Sequence, residues 1–221
     1  MSRSDTGHFA TAGTYSPDTR HEGLILRRAL FGGTFDPPHV GHLAVAQAAW
    51  EQLSVDIVTF LPAGDPWQKS DDRPVTPASI RCAMLAAAIR DVPYFEVDTR
   101  EADRDGPTFT WDTVGSFGDQ GVVLVLGADA AAGLRSWHRG ADLVDRVEIA
   151  VVGRPGTSRR AVDDAVPQAR WLEMPGLDIS STQLRSWLGR GYSGRFLIPD
   201  GVADVVVVRG LYSDEPKSTG L

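Results

Sequence analysis

Short apolar, β-branched runs alternate with helix-like segments from Leu24 onward, and this alternation constrains the fold more than any other feature of the chain. Strand, helix and strand in succession are typical of a parallel sheet whose connections are helices. The sequence therefore predicts an α/β fold, with strands at Leu26–Phe31, Val55–Leu61, Tyr94–Val97, Val122–Gly127, Val147–Val152 and Trp171–Glu173.

Start signals mark two of the predicted helices. Thr76 before Pro77 predicts an N-cap with proline in the first turn, and Ser180–Gln183 matches a capping box. Val202–Arg209 suits a strand by propensity and a helix by spacing, and Pro199 and Asp200 before it favour the helix. The other predicted helices are Gly41–Leu53, Pro77–Arg90, Thr110–Phe117, Ala141–Asp145 and Ser181–Leu188.

Composition excludes several classes of protein. The 221 residues carry 22 Lys and Arg against 29 Asp and Glu, a net charge of −7 that disfavours a nucleic-acid binder. Apolar runs such as Gly121–Ala128 fall far short of the roughly 18 residues of a membrane span. The single cysteine, Cys82, excludes an internal disulfide, and a cytoplasmic location is the expectation. Residues 1–23 resemble no signal peptide, so we expect a flexible extension, one domain over residues 24–212 and a polar tail over 213–221.

The densest group of reactive side chains is Phe31–His42, which follows a predicted strand and opens a predicted helix. Glycines let the backbone approach a ligand closely, and a helix N-terminus offers N–H donors suited to phosphate. His39 and His42 are three residues apart and can point at one ligand. Imidazole N–H groups can donate hydrogen bonds to phosphate oxygens as negative charge redistributes during phosphoryl-type transfer.

Two other interpretations of this segment stay open. The glycines could form an ordinary turn with the histidines capping a helix. Asp36, His39 and His42 could also bind a metal, although the two prolines and the lack of an assured fourth ligand disfavour this.

A second candidate anion site lies at Ile179–Arg185. Hydroxyl groups at a helix start, with an arginine one turn later, can hold phosphate oxygens. Alone, the segment favours a capping box with a solvated arginine over an anion site.

Together and in this order, the two segments resemble the motifs of the class I nucleotidylyltransferases, and within them the bacterial nicotinate-nucleotide adenylyltransferases. The resemblance extends over nearly the whole chain, roughly from Arg28 to Tyr212. Intermediate segments also resemble that family, in the expected order: Pro62–Lys69, Thr108–Thr113, Leu126–Asp129, Trp137–His138 and Gly153–Gly156. Phe109 stands where the family has tyrosine, which affects fine substrate contacts rather than the reaction.

The resemblance implies a Rossmann-like, doubly wound parallel sheet in a single domain. It also implies catalytic roles for His39, His42 and Arg185 at the phosphates of ATP. Further contacts to ATP are implied for Gly32, Gly33, Thr34, Phe35, Gly127, Asp129, Ile179, Ser180, Ser181 and Thr182. Nicotinate mononucleotide would contact Lys69, Thr108, Trp137 and His138, with Trp137 on the pyridine ring. Without the resemblance, Trp137 could be a core residue, Asp129 a helix cap and Lys69 a solvated charge.

The implied reaction is transfer of the adenylyl group of ATP to nicotinate mononucleotide, giving nicotinate adenine dinucleotide and pyrophosphate in NAD biosynthesis. We expect Mg²⁺ to accompany ATP, held largely by phosphates and water. A homo-oligomer is compatible with the sequence. The rival interpretations are an adenylyltransferase for the amidated mononucleotide or another phosphate acceptor, and a nucleotide-binding sensor without catalysis.

Overall fold

The fold is built on one six-stranded sheet in a computed structural model that describes residues 26–64, 75–118, 121–153 and 156–213. The strands are β1 (Arg28–Gly33), β2 (Ile57–Pro62), β3 (Phe95–Val97), β4 (Val122–Gly127), β5 (Glu148–Val152) and β6 (Arg170–Leu172). Every neighbouring pair is parallel, and the strand order is β3-β2-β1-β4-β5-β6. The predicted doubly wound parallel sheet is confirmed.

In the described part of the chain, eight α-helices connect the strands or follow them. They are α1 (Val40–Gln52), α2 (Ala78–Ile89), α3 (Thr110–Ser116), α4 (Ala128–Ala132), α5 (Gly140–Arg146), α6 (Arg159–Ala165), α7 (Ser181–Gly189) and α8 (Asp200–Arg209). A 3₁₀ turn, Leu134–Ser136, lies between α4 and α5.

Both faces of the sheet are covered, which is why its central strands are continuously apolar. Ala29 and Phe31 of β1 point into a core beneath α1 and α2, whereas Leu30 between them points into a second core beneath α4, α5 and α6. Ala46 and Ala49 of α1 are fully buried, because their small side chains let the helix lie close to the sheet. Among the described residues, we find no helix whose length and hydropathy would suit a bilayer crossing.

The predicted strands begin and end within two residues of the observed ones. The ambiguous segment near the C-terminus is a helix, α8, which begins at Asp200 and ends before Gly210. Gly210 has φ 60°, the left-handed conformation in which helices commonly stop. Val202 and Val206 pack α8 into a third core with Met84 of α2.

Three local features differ from the predictions. The helices α4 and α6 were not predicted. Four of the five residues of α4 are alanine, and α6 buries only Val162 and Ala165, so neither segment shows a clear apolar period. The predicted N-cap Thr76 is wrong, since α2 begins at Ala78 with Pro77 in the cap position. Pro77 has φ −47° and ψ 140°, outside the helical region, so the helix begins one residue later than predicted. The Thr76 hydroxyl contacts the Tyr212 hydroxyl at 3.4 Å. The predicted extension over 1–23 lies outside the described residues.

Candidate active site

A cavity of about 580 Å³ opens at the carboxyl ends of β1 and β4. These neighbouring strands are where the strand order reverses, the place at which open α/β sheets bind ligands. The cavity is lined by residues of the first motif, Phe31–His42, of the second motif, Ile179–Arg185, and of the end of β4. Its lining includes every described residue expected to contact ATP or its phosphates: Gly32, Gly33, Thr34, Phe35, His39, His42, Gly127, Asp129, Ile179, Ser180, Ser181, Thr182 and Arg185.

The two histidines form a stacked pair at the start of α1. Their ring centroids are 3.7 Å apart and their planes differ by 25°. The backbone N–H of His39 donates to Nδ1 of His42 at 3.1 Å. Because that nitrogen accepts, the neutral His42 ring carries its proton on Nε2, which makes Nε2 the donor of the ring.

Phe35 supports the histidine pair from the core side. It is only 2% exposed, and its ring meets the His42 ring edge-on with centroids 4.9 Å apart. A Cβ atom at Gly33 would lie 2.9 Å from Cζ of Phe35, so only glycine leaves room for that ring. Although Phe35 lines the cavity, its geometry assigns it mainly to packing behind His42.

The second motif begins α7 and contacts the first motif directly. Ser180 caps the helix, because its Oγ accepts from the backbone N–H of Gln183 at 3.2 Å. The Ser181 hydroxyl donates to the carbonyl oxygen of Pro37 at 2.9 Å. Arg185 donates through Nη1 to the carbonyl oxygen of Asp36 at 2.7 Å and through Nη2 to Oγ1 of Thr182 at 3.0 Å. The guanidinium is therefore anchored at the cavity by both motifs.

Gly41 packs closely between His39 and the second motif. A Cβ atom there would lie 2.8 Å from Cγ2 of Ile179 and 3.0 Å from Cε1 of His39. We expect Gly41→Ala to cost about 1–3 kcal/mol of folding free energy through overpacking, and to weaken ATP binding. Urea denaturation and ATP titration measure the two effects.

Gly115→Ala is the matched control for that substitution, since Gly115 also lies in a helix. There the nearest atoms to a new Cβ are the Nη atoms of Arg146 at 3.6 Å, an ordinary contact distance. The control should be neutral or stabilising, because alanine favours a helix. Equal behaviour of the two variants would contradict the proposed close packing at Gly41.

Asp129 lies in the first turn of α4, immediately after β4. Its Oδ1 accepts from the Thr157 hydroxyl at 2.5 Å, and the side chain is exposed on the cavity wall. A carboxylate held at this strand end suits hydrogen bonding to a ribose hydroxyl.

The residues expected at the acceptor nucleotide lie elsewhere. Thr108, Trp137 and His138 do not belong to the cavity lining, and Lys69 lies outside the described residues. Trp137 is half-buried and packs against the core beneath α4, whereas His138 is exposed with its ring 4.4 Å from that of Phe109. The Phe109 and His138 rings thus bring together two separate segments of the chain that were expected at the acceptor.

Two residues beside the cavity, one buried and one partly buried, had not been predicted as parts of the site. Arg81 is 1% exposed and donates to four backbone carbonyls, those of Thr34, Ala63, Gly64 and Thr76. An arginine among the apolar residues of α2 was a visible signal for Arg81.

Tyr212 is the other residue that had not been predicted as part of the site. Its hydroxyl donates to Oδ1 of Asp36 at 2.6 Å. No local signal in the sequence could have revealed that contact. In the structure the Asp36 carboxylate is therefore held by the Tyr212 hydroxyl. Among the described residues, no three His, Cys, Asp or Glu side chains are grouped as metal ligands.

Comparison with known proteins gives consistent matches. The cytidylyltransferase-like family model matches residues 30–186. A protein of Exiguobacterium sibiricum named "Probable nicotinate-nucleotide adenylyltransferase" is 37% identical over 192 residues, covering 85% of this chain and 100% of that protein. A protein of Methylibium petroleiphilum with the same name is 39% identical over 189 residues, covering 81% of this chain and 87% of that one.

The solved structures agree on the fold. The nicotinic acid mononucleotide adenylyltransferase of Plasmodium falciparum, complexed with APC, superposes with a TM-score of 0.69 at 17% identity. The superposition covers 85% of this chain and 97% of that one.

Proposed function

Since this chain belongs to the cytidylyltransferase-like family, and within it to the nicotinate-nucleotide adenylyltransferases, we propose that it transfers the adenylyl group of ATP to nicotinate mononucleotide. The products are nicotinate adenine dinucleotide and pyrophosphate, which makes this a step of NAD biosynthesis. The observation that carries the proposal is the cavity at the sheet's reversal point, where His39, His42 and Arg185 line one space.

In this reaction a 5′-phosphate oxygen of the mononucleotide attacks the α-phosphorus of ATP. The new P–O bond forms as the bond from the α-phosphorus to the bridging oxygen breaks, and pyrophosphate leaves with the electron pair. Two anions must meet, so positioning and charge neutralisation supply most of the rate. No covalent intermediate with the protein is required.

The donors around the cavity suit these tasks. Nε2 of His42 would donate to a phosphate oxygen that gains charge in the transition state, and His39 would support it from the stacked position. Arg185, with Ser181 and Thr182, would hold the distal phosphates that leave as pyrophosphate. We assign the adenosine half to Gly127 and Asp129, at the end of β4.

The acceptor would lie beyond the cavity, towards Thr108, Trp137 and His138. Thr108 lies in the connection from β3 to α3, which leaves the carboxyl edge of the sheet, and Trp137 follows the 3₁₀ turn after α4. We propose that Trp137 contacts the pyridine ring and that backbone N–H groups near Thr108 and His138 receive the carboxylate. Lys69 stays a proposed contact of the same nucleotide.

Mg²⁺ is proposed to enter with ATP. The described residues offer no ready-made group of metal ligands, which suits an ion held mainly by phosphate oxygens and water. Such an ion would neutralise phosphate charge, while the residues of the chain orient the nucleotide.

The test is pyrophosphate release from ATP with nicotinate mononucleotide, nicotinamide mononucleotide and phosphopantetheine as acceptors at equal concentration. We expect at least tenfold preference for the nicotinate form, because a site built for a carboxylate leaves donors unsatisfied by the amide. ATP without acceptor and an EDTA-treated reaction serve as controls, and both should stay near background.

Other outcomes identify the rivals. Preference for nicotinamide mononucleotide would overturn the carboxylate assignment, and preference for phosphopantetheine would overturn the acceptor class. ATP binding without release from any acceptor would favour the sensor interpretation.

A further inference from the structure

The carboxylate of Asp36 is buried beside the cavity and is held by the C-terminal end of the described chain. Asp36 is 1% exposed, and its Oδ1 accepts from the Tyr212 hydroxyl at 2.6 Å. Its Oδ2 accepts from the backbone N–H of Thr76 at 3.5 Å. A carboxylate removed from water needs such donors, because a buried charge without hydrogen bonds is strongly destabilising.

Tyr212 is well suited to be a permanent donor. Burial, together with the hydrogen bond to Asp36, raises the pKa of the Tyr212 hydroxyl above its usual value. The hydroxyl therefore keeps its proton throughout the neutral range. A short hydrogen bond from a hydroxyl to a carboxylate is among the stronger hydrogen bonds in proteins.

The backbone of the same segment holds the second motif. The carbonyl oxygen of Asp36 accepts from Nη1 of Arg185, and the next carbonyl oxygen, that of Pro37, accepts from the Ser181 hydroxyl. Asp36 thus lies between Tyr212, which fixes its side chain, and Arg185, which depends on its carbonyl. Any shift of Asp36 would move both acceptors.

We propose that Tyr212 is a positioning residue for phosphate binding, whose hydroxyl fixes Asp36 and so holds Arg185 and Ser181 in place at the cavity. This inference rests on the proposed function, because it takes ATP as the ligand of the cavity. Tyr212 itself need not contact the nucleotide. The rival explanation is that Tyr212 simply anchors the end of α8 to the domain.

Tyr212→Phe tests the proposal, because it removes the hydroxyl and keeps the ring. Tyr94→Phe is the matched control: the Tyr94 hydroxyl donates to Oε1 of Gln47 at 3.0 Å, and Tyr94 lies just before β3, at the amino edge of the sheet. Dissociation constants for ATP and AMP are measured with both variants, together with their melting temperatures. Transfer to nicotinate mononucleotide is measured on the unmodified chain.

We expect Tyr212→Phe to weaken ATP binding about tenfold, the effect of roughly one charged hydrogen bond, while AMP binding stays within about twofold. This selectivity follows because Arg185 and Ser181 are assigned to the distal phosphates, which AMP lacks. Tyr94→Phe should leave the dissociation constants for ATP and AMP within about twofold, even if its melting temperature falls as far as that of Tyr212→Phe. A purely structural anchor would weaken ATP and AMP binding equally, or neither.

Equal effects on the two nucleotides, or wild-type ATP binding by Tyr212→Phe, would therefore overturn the proposal. ATP binding and transfer by the unmodified chain show separately whether the proposed function fails. ATP binding without transfer by the unmodified chain would overturn only the reaction, whereas absence of ATP binding would overturn both.

Discussion

His42→Ala is expected to lower kcat for adenylyl transfer by roughly 100- to 1,000-fold, the usual cost of removing one preorganised donor from a transition state. His42 lines the cavity, and the hydrogen bond from the His39 N–H to its Nδ1 leaves Nε2 as the donating atom. Because this donor acts on charge that develops during the reaction, KM for ATP should change much less than kcat. Steady-state pyrophosphate release measures both constants.

The fold should survive that substitution, with a loss of about 1 kcal/mol or less in urea denaturation. His42→Asn serves as a rescue variant, because its amide can accept from the His39 N–H and still present a donor. It should recover part of kcat. Gln47→Ala, on the same helix but outside the cavity lining, should keep kcat within about twofold. Unchanged turnover by His42→Ala would remove His42 from the proposed catalytic group.

Arg81→Met is expected to lower the free energy of unfolding by at least about 3 kcal/mol. Arg81 donates through Nε to the carbonyl of Thr76 at 2.8 Å and through Nη1 to that of Thr34 at 2.8 Å. Its Nη2 donates to the carbonyls of Ala63 at 2.6 Å and Gly64 at 2.8 Å. Methionine fills a similar volume but donates to none of them, and each buried carbonyl left without a partner costs about 1–3 kcal/mol.

Arg90→Met is the matched control, because it makes the same substitution at the C-cap of the same helix, α2. The Arg90 side chain is 74% exposed. It should change stability by about 0.5 kcal/mol or less. Arg81→Lys should recover less than half of the loss, since one ammonium cannot match the fork of a guanidinium. A loss below about 1 kcal/mol for Arg81→Met would show that water replaces the four hydrogen bonds.

The strands could be predicted because strands covered on both faces are apolar along their whole length. Val122–Gly127 was predicted with both ends correct, since five of its six residues are buried. Helix α4 could not be predicted in the same way, because it has five residues, mostly alanine, and shows no periodic contrast. Thr76 was misassigned because the backbone of Pro77 is not helical, with ψ 140°, which moves the helix start one residue further along the chain.

The two motifs were predicted as one site through the family resemblance, because each alone was also consistent with a turn or a helix cap. The structure brings them into contact through the hydrogen bonds from Ser181 to Pro37 and from Arg185 to Asp36. Tyr212 was missed because its partner is a carboxylate 176 residues away, and such a contact leaves no pattern in its own neighbourhood. Arg81 did leave a signal, as an arginine among apolar residues, but its four carbonyl partners follow only from the fold. The contact between Phe109 and His138 likewise joins two segments whose proximity only the fold determines.

The hydrogen bonds that join the two motifs also bear on when the site can form. Pro37 and Ser181 are 144 residues apart, Asp36 and Arg185 are 149 apart, and Asp36 and Tyr212 are 176 apart. Closing loops of that length is entropically costly, and contacts of high sequence separation generally slow folding. During synthesis the first motif leaves the ribosome early, and the residues that complete the phosphate site with it leave last. A nascent chain therefore contains both histidines for most of its translation before the phosphate site can exist.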